Sequence, residues 1–260
     1  MPLDITHNLC LSQLKEWFST ELGQHLIDCE SREFAAIVPS SHWPVAVNQG
    51  PGMADCFANR DIELRMRIGN EIDEMPRPTV VALHEELPLG RNSADLVVLQ
   101  HTLDFSEDPR LVLREAIEAL RPNGWIIICG FNPFSLWGAV RLMRLQSEKR
   151  APWSGKFLQS KRIIDWLGLL GTEVEQCKYL LYGPPIKSLA MQRRFAFLDI
   201  LGSWIWPGCA GIYMLSAQKR NFAGHRDLKS SIRTRQVVQA LHTVKLGAKL
   251  ESTSVKSRTH

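Results

Sequence analysis

Apolar residues recur along this chain at two periods, and the switching between them predicts the architecture. Leu11, Leu14, Phe18, Leu22 and Leu26 are spaced by three and four, the period of an amphipathic helix, with Gly23 as its weak point. Pro39 and Pro44 bracket a turn before a short strand from Val45 that runs into a glycine loop, Asn48-Gln-Gly-Pro-Gly52. From Asp61 to Ile68, Ile62, Leu64, Met66 and Ile68 alternate with Glu63, Arg65 and Arg67, which predicts a strand with one wetter face. Thr79–Leu83 is a third strand, followed by a loop over Glu85–Gly90.

The stretch Ser93–Gly138 is the most regular. Two apolar strands, Asp95–Gln100 and Trp125–Cys129, flank one amphipathic helix, as expected of a βαβ unit covered on both sheet faces. Asp108 is placed to cap that helix and Pro109 to open it. Leu113, Ile117 and Leu120 face inward, and Arg121-Pro-Asn-Gly124 stops the helix, with Pro122 opening a turn and Gly124 taking a positive φ. Phe131–Leu158 reads as irregular and aromatic. A helix over Lys161–Gly171, a strand over Thr172–Leu181, a stop at Gly183-Pro-Pro185, a helix over Met191–Trp206 and a strand over Gly211–Ala217 complete the order. Strands separated by helices imply an α/β fold with a doubly wound, largely parallel sheet. In such sheets ligands bind beyond the carboxyl ends of the strands.

Composition narrows the class. The chain of 260 residues can form one large domain, or one with a small appendage. Its six cysteines are scattered, without a Cys-x-x-Cys pair, so neither a structural metal site nor a disulfide framework is expected. Reduced thiols and an N-terminus without the pattern of a signal peptide point to the cytoplasm. Ile200–Ala217 carries no charge and reaches the lower length of a membrane span. Pro207, Gly208 and Gly211 interrupt it, so it reads as helix, turn and strand. The net charge of +4 is uneven: Lys219–His260 holds ten Lys and Arg against two acidic residues, and the remainder is about −4. This tail reads as solvated and poorly ordered, with no specific nucleic-acid partner expected.

Three quoted segments carry a resemblance: the glycine loop after strand one, Glu85-Glu-Leu-Pro-Leu89 after strand three, and Ala94–Gly124 across strand four and the following helix. In this order they resemble class I S-adenosylmethionine-dependent methyltransferases, in particular the "type 11" group, over about residues 10 to 218. Gly130-Phe-Asn-Pro-Phe-Ser-Leu-Trp-Gly138 looks like the signature of one bacterial subfamily. The resemblance implies a Rossmann-like, seven-stranded, mostly parallel sheet in a domain over 1–218. Residues 1–40 would be an N-terminal helical extension and 219–260 the basic tail. It also implies S-adenosylmethionine as cofactor and a small or lipid-like acceptor. The first motif departs from the family's acidic residue and Gly-x-Gly-x-Gly: only Gly50 and Gly52 remain, with Pro51 between them.

By that resemblance Gly50, Gly52, Glu71, Glu86, Leu87 and Gln100 are the cofactor-binding candidates, with Asp73 as an alternative to Glu71. Gly50 and Gly52 have an ordinary turn as their alternative role, and Glu71 a solvated loop carboxylate. His101, backed by Asp104, could take a proton from an acceptor, since its reference pKa near 6.5 suits both forms; it could also be a packing or capping histidine. Asn132, Ser135 and Trp137 follow strand five, where an acceptor loop is expected, or else a structural lid. Arg193 and Arg194 could meet an anionic acceptor or lie at an exposed helix start. Methyl transfer needs alignment and water exclusion more than a triad or metal. Two other classes compete. One is a non-catalytic member acting as a binding or regulatory partner, suggested by the altered glycine loop. The other, a nicotinamide-dependent dehydrogenase, lacks its Gly-x-Gly-x-x-Gly.

Overall fold

Seven strands form one sheet: β1 Trp43–Gln49, β2 Ile62–Gly69, β3 Thr79–Val81, β4 Ala94–Gln100, β5 Leu120–Phe131, β6 Thr172–Leu180 and β7 Ile212–Lys219. Their order is β3-β2-β1-β4-β5-β7-β6. β3, β2, β1, β4 and β5 pair in parallel, and β7 runs antiparallel to both β5 and β6. This is the seven-stranded, mostly parallel α/β sheet that the resemblance implied. The computed structural model describes residues 13–14, 16–50, 56–57, 60–69, 79–144, 151–186, 194–195, 197–206 and 208–220. Met1–Arg220 forms one compact unit.

Why β4 is central follows from its residues. Leu96 and Val98 point into a core shared with Leu22, Leu26 and Phe34, while Val97 and Leu99 point into a second core with Val112, Leu113 and Ala116. All four strand residues are fully buried, and each contributes about 1.5–3 kcal/mol on transfer from water. One core therefore holds α1 (Glu21–Ile37) on one face, and the other holds α3 (Pro109–Ala119) and α5 (Ser160–Leu169) on the opposite face. The short α2 (Thr102–Phe105), α4 (Leu136–Arg144) and α6 (Phe197–Ile205) complete the helices used below.

Several local expectations hold. Asp108 caps α3, its Oδ1 accepting from the amides of Arg110 at 2.9 Å and Leu111 at 3.3 Å, with Pro109 in the first turn. Others are corrected. The helix expected over 11–26 is cut: residues 16–18 are helical, the chain turns at Ser19, and Thr20 caps a new helix running to Ile37. The apolar spacing continues across this break because Leu14, Phe18, Leu22 and Leu26 all face the same core. Gly23 is required there, since a Cβ would lie 2.4 Å from the Trp17 carbonyl. After α3 the left-handed residue is Asn123 (φ 64), not Gly124, whose Cβ would crowd Arg121 O at 2.9 Å; asparagine tolerates this region. The stretch expected to be irregular contains α4. The charge-free segment divides between α6 and β7, and among the described residues no helix is long and apolar enough to cross a membrane.

Candidate functional site

β1 lies between β2 and β4, so connections diverge to either side of it, and the carboxyl ends of β1 and β4 bound the crevice where open α/β sheets take ligands. At this edge Gly50 follows β1 with φ +134, and a Cβ on it would lie 2.1 Å from Gln100 O. Glycine is thus demanded by the close approach of the two strand ends. Thr102 Oγ1 donates to Gln49 O at 2.6 Å and fastens the same crossing. The Gln49 amide donates to His84 O at 2.9 Å. Its Oε1, and Asn48 Oδ1 beside it, are buried acceptors with no hydrogen-bond partner among the described residues. Of the cofactor candidates, Leu87 is buried after β3 and Glu86 is exposed beside it. Gly52, Glu71, Asp73 and Arg193 lie outside the described residues, and Arg194 is exposed at a helix start.

Beneath the crevice is a polar network with no solvent exposure. His101 bonds through Nε2 to Glu30 Oε1 at 2.7 Å and through Nδ1 to Asp104 Oδ2 at 2.9 Å. Gln100 Nε2 donates to Glu30 Oε2 at 2.9 Å, Cys129 Sγ to Glu30 Oε1 at 3.2 Å, and the Phe131 amide to Asp104 Oδ2 at 3.0 Å. His101 itself turns the chain into α2 with a left-handed φ of 53. Burial by itself would lower the His101 pKa. The Glu30 charge and the hydrogen bonds of Asp104 and Glu30 outweigh it and raise the value to about 9. Burial raises Asp104 against the opposing pull of His101, and burial followed by the Glu30 charge keeps Cys129 a thiol.

At neutral pH this is an imidazolium between two carboxyl groups, and both ring nitrogens are engaged inside the protein. The expected acid–base histidine therefore has no nitrogen turned to an acceptor in this arrangement. The donor atoms of Glu30, His101 and Cys129 lie within 4.8 Å of one another, a spacing one metal ion could bridge, while their mutual hydrogen bonds already satisfy them. Glu30 escaped the sequence reading. Its signal was an acid at an apolar-stripe position, four residues after Leu26 and four before Phe34.

Asn132, Ser135 and Trp137 prove to be joined to the scaffold. Asn132 Nδ2 donates to the carbonyls of Gly208 at 2.8 Å and Ala210 at 2.9 Å, and its Oδ1 accepts from the Phe134 amide at 3.1 Å. Ser135 Oγ donates to Asn132 O and accepts from the Gly138 amide at 3.0 Å, holding the first turn of α4. Trp137 is buried, with Nε1 donating to Gly183 O at 3.1 Å, and a Cβ on Gly211 would meet its ring at 2.4 Å. A separate groove of about 350 Å³ between α3 and α5, lined by Arg110, Arg114, Trp166 and Leu169 among others, contains none of the candidates.

Residues 47–128 match the family model of a methyltransferase domain. An uncharacterized protein of Escherichia coli K12, YafS, is 40% identical over 88 residues, which is 34% of this chain and 36% of that protein. The chain thus spans about a third of the curated relative it matches. An S-adenosylmethionine-dependent methyltransferase of Thermotoga maritima superposes with a TM-score of 0.60 at 16% identity, covering 81% of this chain and 96% of that one. Another, from Mesorhizobium loti, gives 0.54 at 14% identity, covering 74% and 99%. Residues 47–128 are thus similar to a methyltransferase domain, and the chain has the fold of these S-adenosylmethionine-dependent methyltransferases.

Proposed function

We propose that this protein transfers a methyl group from S-adenosylmethionine to a small or lipid-like acceptor, with the cofactor held across the carboxyl ends of β1, β3 and β4. The observation that carries the proposal is the β1–β4 switch point, where Gly50 seats against Gln100 inside the segment matching a methyltransferase domain. The donors of that cofactor (ammonium, ribose hydroxyls and adenine amine) find at this edge two buried acceptors in need of partners, Asn48 Oδ1 and Gln49 Oε1. In this assignment Gly50, Gly52 and Gln100 receive the methionine end, Glu71 the ribose, and Glu86 with Leu87 the adenine.

When bound, the cofactor supplies an electrophilic methyl group on a sulfonium. The protein's own part is to align the two reactants and exclude water, an effect of up to roughly 7–11 kcal/mol for well-oriented pairs. His101 and Asp104 serve by position: through Glu30 they hold Gln100 at the crevice floor. Asn132, Ser135 and Trp137 brace the segments on the acceptor side. The free thiols of Cys29, Cys56, Cys129, Cys177 and Cys209 support a cytoplasmic setting.

Isothermal calorimetry with S-adenosylhomocysteine tests the assignment, with saturable heat expected from the wild type and its loss from Gly52→Val. Absence of heat at millimolar ligand from the wild type would sink it. The engagement of both His101 nitrogens favours a second reading, a non-catalytic member that keeps the fold as a binding or regulatory partner. Clear S-adenosylhomocysteine density beside Gly50 and Gln100 in a soaked crystal would defeat that alternative.

A further inference from the structure

Helices α4 and α6 are amphipathic in the reverse sense from helices that pack on a sheet. In α6 the buried Gly202 faces the protein, and the exposed Asp199 is tied to it by a hydrogen bond. Asp199 Oδ1 accepts from the Tyr182 amide at 2.7 Å, and a Cβ on Gly202 would lie 2.5 Å from the Tyr182 ring. Phe197, Leu201, Trp204 and Ile205, spaced by four, three and one, form an exposed stripe that Trp206 extends. Trp204 is 88% exposed and Trp206 63%. In α4 the arginines lie inward, Arg141 over the Phe157 ring at 5.1 Å and Arg144 over Trp153 at 5.5 Å. Beyond the buried Trp137 and the half-buried Val140, its large apolar residues turn out, Leu142 at 69% and Met143 at 68%. The two apolar stripes belong to joined segments. Asn132 ties the turn before α4, where Phe134 is 63% exposed, to the Gly208 and Ala210 carbonyls just after Trp206.

We propose that α4, α6 and the turns joining them form a docking face for an anionic lipid bilayer, the helices lying in the headgroup plane with Trp204 and Trp206 at the acyl boundary. Patches of this kind are uncommon on the free surface of monomeric proteins. Exposed Trp, Phe and Leu with flanking arginine are what interfacial helices use. Charge selects the occupant. Helix α4 carries Arg141 and Arg144 with no acid, Arg194 is exposed shortly before α6, and the one acid among the described residues of α4 and α6 is Asp199, held by the Tyr182 amide. A two-fold contact with a second copy would bring two net-positive helix pairs together, whereas an anionic lipid surface complements their charge. Neither helix is long enough to cross a bilayer, so the chain lies on the surface. The proposal stands apart from methyl transfer and does not require it.

The test is sedimentation of the full chain with sucrose-loaded vesicles of phosphatidylglycerol and phosphatidylethanolamine, compared with phosphatidylcholine alone. The wild type is expected to pellet with the anionic vesicles, and the Trp204→Ser/Trp206→Ser double variant to bind at least about tenfold more weakly at an unchanged unfolding midpoint. A Trp204→Phe/Trp206→Phe variant should keep binding but lose most of the tryptophan quenching caused by brominated acyl chains. Failure of the wild type to bind anionic vesicles overturns the proposal. Equal binding by the serine variant also overturns it, since the basic tail alone would then account for attraction. A wild-type dimer in light scattering that becomes monomeric in the serine variant, without vesicle binding by either, overturns it in favour of self-association.

Discussion

His101 stands between Glu30 and Asp104 without solvent contact, and its pKa is raised from 6.5 to about 9. A basic group raised in the folded state lends stability that is complete below its unfolded pKa and disappears as pH climbs through the folded value. Asp104, raised by burial, works in the same direction from its lower starting point, since ionising it inside the fold is unfavourable. The unfolding temperature of the wild type should therefore fall between pH 6.5 and 9.5 in scanning calorimetry. His101→Asn should be less stable at pH 6.5 by about 3–5 kcal/mol, because it strands a buried carboxylate, and should lose that slope. An identical slope in the variant would assign it to other groups. At Gly50 the structure predicts a different failure. Gly50→Ala places a methyl 2.1 Å from a backbone oxygen at a φ of +134, and urea unfolding should show a loss of about 3 kcal/mol. That Gly50 matters was visible in the sequence as part of a glycine loop. That Gln100 O is what excludes a side chain was not, because the two residues meet only when β1 and β4 pair.

At the scale of elements, α3 was the easiest to read, since its cap, its proline and its apolar stripe are all local. Asp108→Ala should remove the two capping bonds and cost about 1 kcal/mol. Helix α4 escaped notice for an equally physical reason. Its buried contact is mainly Trp137, its other large apolar residues face outward, and Pro133 and Gly138 interrupt the usual helix signals. What starts it is Ser135 on the Gly138 amide, and what places it is Asn132 on two carbonyls 76 and 78 residues away. Asn132→Ala should leave those carbonyls unpaired and cost about 1–3 kcal/mol. Hydrogen exchange should quicken over 197–211 while α3 keeps its protection; uniform quickening would mean that Asn132 supports the whole fold instead of this junction. The break at Thr20 was hidden in the opposite way, because two helical segments that face one core keep a single apolar rhythm through the turn between them.

Across the whole molecule, cofactor binding to the folded chain alone would couple to stability. S-adenosylhomocysteine at a hundredfold excess over its Kd should stabilise the fold by about 2.7 kcal/mol and raise the unfolding temperature by several degrees. A flat thermal-shift curve for a ligand that binds by calorimetry would mean equal affinity for the folded and the unfolded chain. By itself the sequence determined the succession of the seven strands, the helices α3, α5 and α6 between them, the cap of α3 and the parallel core. These depend on hydrophobic period and on residues within a few positions of each other. Only the tertiary structure decided that His101 meets Glu30 across 71 residues, that Asn132 braces α6 to α4, and that two helices turn their apolar stripes outward. Those contacts join residues with no common period, and a helix's apolar face looks the same in sequence whether it meets a core or the solvent.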